Sequence, residues 1–189
     1  MKFISKILCT LLLLAGMTAE AQNVTVGLLG GMGKDPEATF KKLHDAGFKA
    51  CQTGYNSNWT QKDADLLKEL QAKYDIKIST LMCLTPNCRW NFTEGPSTIG
   101  LVPPLNRVKY LDLHKRAVDF CAMAGIPAMH SHFGFIPEEP TNELYPGFIE
   151  VMRDLCQYAK DRGVMIFCET GQETATTLIR AIQDIGTGN

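Results

Sequence analysis

Residues 162–169 read Arg-Gly-Val-Met-Ile-Phe-Cys-Glu: a glycine, a short apolar run, and a carboxylate at its end. The run is too short for a helix and reads as a buried strand of a parallel sheet, which needs apolar residues on both faces. Before it, residues 143–162 carry apolar residues at helical spacing. A helix, a glycine and a buried strand in that order form an αβ junction. The same junction recurs at Ala46-Gly47-Phe48 and at Ala124-Gly125-Ile126.

Working outward from these junctions, strands are expected over 24–29, 50–53, 77–83, 128–133 and 164–169. Helices are expected over 35–46, 60–74, 107–124, 143–162 and 173–185. Asp35 before Pro36 marks a helix start, Thr60 can cap the amides of Lys62 and Asp63, and Glu173 suits a first helical turn. Alternating strands and helices signal βα units on a parallel sheet, and the repeated junction argues for one architecture rather than several domains.

Five such units at about 30 residues each fill the chain after its first 21 residues. A closed (β/α)8 barrel has eight units and typically about 250 residues. The final Ile185-Gly186-Thr187-Gly188-Asn189 reads as a helix end and a turn. An α/β fold of five units is therefore expected, either an open five-stranded sheet or the first part of a TIM-barrel-type (β/α)8 fold. Residues 85–104 show no periodicity and are rich in Pro, Gly and Asn. They are expected to form a long βα loop, a place where lids and rims of functional sites are found.

The first residues carry Lys2 and Lys6, an apolar stretch from Ile7 to Met17, and Ala19-Glu20-Ala21. This is the pattern of a cleavable signal peptide over 1–21, leaving residues 22–189 as one secreted or periplasmic domain. The stretch is about half of the roughly 20 residues that cross a bilayer, so no membrane anchor is expected after cleavage.

A net charge of −1 provides no basic surface for nucleic acid. Of the seven cysteines, Cys9 leaves with the leader and the other six are expected as buried thiols. Cys83 and Cys88 flank Thr85-Pro86, where a loop-closing disulfide is also open in an oxidising compartment. Asn23, Asn58 and Asn91 each begin an Asn-x-Thr sequon.

The run from Gly27 to Lys34 is not a phosphate loop. Leu28 stands where the first glycine should, and Asp35 where Ser or Thr would hold magnesium. More chemistry lies at the strand ends. His130 and His132 are two apart near the end of the fourth strand, where imidazoles can ligate a metal or polarise a sugar oxygen. Glu169 ends the fifth strand, and a carboxylate there can bind a divalent ion and exchange a proton beside a carbonyl.

Residues 130–137, HSHFGFIP, and 167–174, FCETGQET, with the junction at 46–50 in support, resemble the sugar phosphate isomerase/epimerase family of xylose isomerase-like barrels. The resemblance runs from Val24 to Asn189 and implies the barrel rather than the open sheet. It implies a small sugar as partner and a divalent metal, often manganese, held by four residues on the fifth to eighth strands. Glu169 resembles the fifth-strand ligand and catalytic carboxylate, and His132 the histidine beside the substrate. The positions of the other ligands would fall beyond Asn189, so the 189 residues alone are expected to bind metal weakly and not to catalyse.

Three functions follow from the resemblance. The first is a sugar isomerase or epimerase moving a proton beside a carbonyl. The second is a lyase acting on keto-glycosides by the same proton abstraction. The third is a non-catalytic sugar-binding protein that stacks Tyr55, Trp59 and Trp90 on sugar rings. The related abasic-DNA endonuclease needs several metal-binding histidines and a basic surface, which four histidines and a balanced charge do not supply.

Overall fold

The structure, a computed structural model, describes residues 24–169 and 171–189; the expected leader lies outside them. Five strands, β1 (Gly27–Leu29), β2 (Ala50–Gly54), β3 (Lys77–Met82), β4 (Ala128–Ser131) and β5 (Met165–Cys168), form one sheet in chain order, with every neighbouring pair parallel. Helices α1 (Pro36–Asp45), α2 (Gln61–Tyr74), a one-turn α3 (Gly95–Thr98), α4 (Arg107–Ala124) and α5 (Leu144–Lys160) lie between them, and α6 (Ala175–Ile185) follows β5. This is the βα succession read from the junctions. None of the described helices is long and apolar enough to cross a membrane.

The helix starts follow local chemistry, with one departure from expectation. The Asp35 carboxylate accepts from the Ala38 amide at 3.0 Å, with Pro36 opening α1. At α2 Thr60 and Asp63 form the reciprocal capping box, the Thr60 side chain against the Asp63 amide, and one Asp63 carboxylate oxygen accepts from the Thr60 amide at 2.7 Å and from its hydroxyl at 2.8 Å. A charged oxygen is the stronger acceptor, so it takes both bonds. Helix α6 starts at Ala175, with Thr174 as its cap accepting from the Thr177 amide, which leaves Glu173 outside the helix rather than in its first turn.

The junction glycines Gly47, Gly125 and Gly163 have φ of +82°, +68° and +68°, the left-handed conformation that turns each helix back toward the next strand. The apolar stripes of the helices then meet the outer face of the sheet. Leu67, Leu70, Ile78, Leu81, Phe120, Met129, Met152 and Leu155 are all essentially removed from water there.

Between β2 and β3 the register slips, so that Cys51 pairs with Ile78 but Gln52 pairs with Thr80. Ser79 is the extra residue of a bulge, and its hydroxyl donates to the Cys51 carbonyl at 3.1 Å. The slip keeps Ile78 and Leu81, three apart, both buried.

All six cysteines of the described residues are free thiols, Cys83 and Cys88 included. Instead of a bridge, the Cys88 thiol donates to the Thr85 carbonyl at 2.8 Å, while Cys83 is buried and its thiol is pushed up to about 12 by desolvation. The expected long loop between β3 and α4 is pinned to the body. The Arg107 guanidinium donates to the carbonyls of Leu101 (2.9 Å) and Val102 (2.6 Å), the Tyr110 hydroxyl donates to Pro86 O, and Ile99, Leu101 and Val102 are buried.

Gly100 is the point where this loop passes closest to the chain after β4. Its φ is +71°, and a Cβ there would sit 2.0 Å from the Phe133 carbonyl carbon. Gly100→Ala is expected to destabilise the fold by at least about 2 kcal/mol in urea unfolding, from backbone strain plus a clash with backbone. Gly31→Ala, where a Cβ meets nothing within 4 Å, should change it by less than about 0.5 kcal/mol.

Candidate functional site

The carboxyl ends of β2 to β5 gather the polar side chains that face away from the helices. His130, on β4, is 8% exposed, and both of its ring nitrogens are engaged. The Gln52 amide lies 3.2 Å from Nε2, and the Thr80 hydroxyl lies 3.1 Å from Nδ1. With the Gln52 nitrogen donating to Nε2, the ring is neutral and its Nδ1–H donates to Thr80. Burial lowers the pKa of His130, and the nearby Glu169 carboxylate partly opposes that. The β2–β3 bulge is what sets Gln52 and Thr80 side by side for this grip.

Glu169 is the first residue past β5, and its amide continues the ladder by donating to the Ser131 carbonyl at 3.0 Å. Its side chain is exposed rather than buried at the strand end. It therefore sits at the open rim beside His130, where a solvated carboxylate has no desolvation to offset.

His132 follows β4 instead of ending it, and its surroundings differ from those of His130. It is 6% exposed and its Nδ1 accepts from the Gly134 amide at 3.3 Å. The Trp90 ring meets it edge-on at 5.4 Å and Phe135 lies 6.5 Å away. On the other side Gly171 presses so close that a Cβ would fall 2.3 Å from Nε2. Trp59 is not brought to this group. Its ring stacks on Phe120 of α4 at 5.0 Å and leans on Tyr55, so among the described residues it is Trp90 that reaches a histidine.

Three features were not singled out from the sequence. Gln52 and Thr80 hold His130, and the only hint of them was a polar residue within a strand, flanked on both sides by buried residues at Gln52 but on one side only at Thr80. Glu173 accepts from the Gly171 amide at 3.1 Å through Oε1, while its Oε2 is buried without a partner among the described residues. The third is His114 of α4, fully buried behind β4. Its Nδ1–H donates to the Tyr110 carbonyl at 2.6 Å, and its Nε2 lies 3.0 Å from the Ser131 hydroxyl, whose single proton is shared between that nitrogen and the Cys83 carbonyl 2.5 Å away. This chain of bonds ties α4, β4 and β3 together directly behind the two histidines of the rim.

A divalent metal would need several ligands on one centre. Among the described residues no three His, Cys, Asp or Glu side chains are grouped to hold one. Glu169 could supply one carboxylate, which does not make a complete metal site, so no step is derived through a metal.

Comparison with known proteins places this geometry in context. A family model described as xylose isomerase-like TIM barrel matches residues 40–188. The xylose isomerase domain protein from Planctomyces limnophilus superposes with a TM-score of 0.78 at 23% identity, over 87% of this chain and 60% of that one. A D-psicose 3-epimerase crystallised in the presence of D-fructose gives 0.65 at 12%, over 88% and 61%. A family 2 AP endonuclease from Brucella melitensis gives 0.63 at 10%, over 86% and 64%. At these identities the likeness is one of fold. The chain spans about three fifths of the length of these structures. No curated protein sequence matches it.

Burial lowers the His114 pKa from 6.5 to about 4, against the opposing pull of the Tyr110 carbonyl. The unfolded chain then takes up a proton near pH 6.5 that the folded chain refuses until about pH 4, so this stability is whole above 6.5 and is lost on acidification. The loss should approach roughly 3 kcal/mol between those pH values. Urea unfolding of the wild type and His114→Gln from pH 7 to 4 checks this: the variant should show a flatter pH slope, and equal slopes would reject it.

Proposed function

The chain belongs to the xylose isomerase-like TIM barrel family, and from that premise we propose that it carries the substrate-facing part of a sugar isomerase or epimerase. The reaction is the movement of a proton at a carbon next to a sugar carbonyl. The observation that carries this reading is the exposed Glu169 carboxylate at the carboxyl end of β5, beside a neutral His130 and within the same rim as His132.

In this reading Glu169 exchanges the proton, and it is the residue that would contribute to holding a divalent metal such as manganese, which when bound would supply positive charge beside the sugar oxygens. His132 touches the sugar, held in place by Trp90 and Gly171. His130 has both nitrogens bound by Gln52 and Thr80, so it offers the substrate a fixed ring rather than a free base. D-fructose in the psicose epimerase structure supports a small ketose as the substrate class. The leader pattern over residues 1–21 supports an exported protein, and outside the cytoplasm a free sugar or keto-glycoside is a better substrate than a sugar phosphate. N-terminal sequencing of the secreted protein is expected to begin at Gln22, and retention of Met1 would reject export by cleavage.

The proposal is tested by incubating ketohexoses in deuterated water with protein expressed from the complete reading frame, with and without Mn2+. Label is expected in the recovered sugar, and Glu169→Gln should reduce it by about 10²- to 10⁴-fold. The 189-residue polypeptide assayed alone should exchange far less, since among the described residues no three metal-binding side chains are grouped around Glu169. Unchanged exchange in Glu169→Gln overturns the assignment. Sugar binding without exchange in the complete protein replaces it with the binding-protein reading, and release of an aglycone from a keto-glycoside replaces it with the lyase.

A further inference from the structure

Near His132, the loop after β3, together with Phe135 and Gln172, forms a cavity of about 350 Å³ lined by Trp90, Asn91, Phe92, Ile99, Phe135 and Gln172. Four of its six walls are apolar and three are aromatic. Trp90 is 58% exposed and Phe92 is 81% exposed, a large amount of aromatic surface left in water.

These rings are held rather than loose. The Asn91 side chain accepts from the amides of Thr93 (3.0 Å) and Glu94 (2.7 Å) and donates to the Glu94 carboxylate, which fixes the turn between Trp90 and Phe92. Phe92 meets Phe135 edge-on at 6.2 Å, and Phe135 packs so tightly on the loop that a Cβ at Gly95 would lie 2.8 Å from its ring. The loop beyond is fixed by Arg107 and by Gly100. A preformed aromatic wall loses little entropy when it closes on a ligand.

The cavity joins the rim through shared rings. Trp90 contacts both His132 and the cavity, and Phe135 does the same from the other side. A sugar at His132 would therefore direct one of its substituents into this space. We propose that the cavity is a subsite for a planar aromatic aglycone, so that the preferred ligand is a keto-glycoside with an aryl aglycone, which keeps the sugar carbonyl, rather than a free monosaccharide. A flat ring can pack against the exposed aromatic surfaces of Trp90, Phe92 and Phe135, the volume suits a compact group instead of a long acyl chain, and Gln172 lies within the lining to meet a phenolic hydroxyl. The inference rests on the sugar-site reading of His132 and adds the class of the group attached to the sugar.

The test is calorimetric titration of the full protein with phenyl β-D-glucopyranoside, methyl β-D-glucopyranoside and phenol. The phenyl glycoside is expected to bind about tenfold more tightly than the methyl glycoside. Phe92→Ala, at a position exposed enough to leave the fold intact, should erase that preference while leaving methyl glucoside affinity unchanged, and Trp90→Phe should weaken it. Equal binding of the two glycosides, or a preference that survives Phe92→Ala, overturns the aryl subsite and leaves the sugar site standing. Phenol binding that depends on Phe92, with no binding of either glycoside, overturns the sugar reading of His132 and with it the glycoside assignment. No binding of any of the three overturns both.

Discussion

Each helix of this chain must bury its apolar stripe against the outer face of the sheet, and that one-sided burial decides where the polar side chains go. Residues facing the helices are Ile78, Leu81 and Met129, all dry. The polar groups of Ser131 and His114 on that side are hydrogen-bonded, which offsets the cost of removing them from water. Gln52, Thr80 and His130 take the other face, near the carboxyl ends of the strands, where barrels of this family place their chemistry. The rim is thus a consequence of the packing, and the histidine pair straddles a residue committed to the opposite side.

Much of this was legible in the sequence, since the period of an apolar strand and the glycine closing a helix are local signals. The three junctions at Gly47, Gly125 and Gly163 sufficed to phase all five units, and Glu169 at the end of an apolar run pointed to the rim without any structure. What was not legible depends on register. The Ser79 bulge brings Gln52 opposite Thr80, and no local pattern announces which residue of a strand will be the extra one. Trp59 and Trp90 look alike as loop aromatics, yet one is taken by Phe120 and the other by His132, a choice made between residues far apart in the chain. His114 reads as an ordinary helical position until α4 is laid on β4.

Membership of the xylose isomerase-like family constrains the chemistry more than the low identities to individual structures do. The carboxylate beside β5 and the histidine after β4 are supported from opposite directions, Glu169 by the sheet ladder through Ser131 and His132 by aromatic and backbone packing. Glu138 adds a link between their loops: its carboxylate accepts from the Thr174 amide at 2.6 Å and from the hydroxyls of Thr174 and Thr177, so the segment after β4 caps the helix after β5. Loops joined in this way move together.

The thiols have a consequence of a different kind. Burial pushes Cys51 and Cys156 up to about 11 and Cys83 and Cys168 to about 12, so in the folded protein almost none of their sulfur is thiolate at neutral pH. Oxidants and alkylating reagents act on the thiolate, so they find these four sulfurs chemically quiet as long as the layers stay closed. Local opening would wake these sulfurs one layer at a time, and the order in which they react would record which part of the fold lets go first.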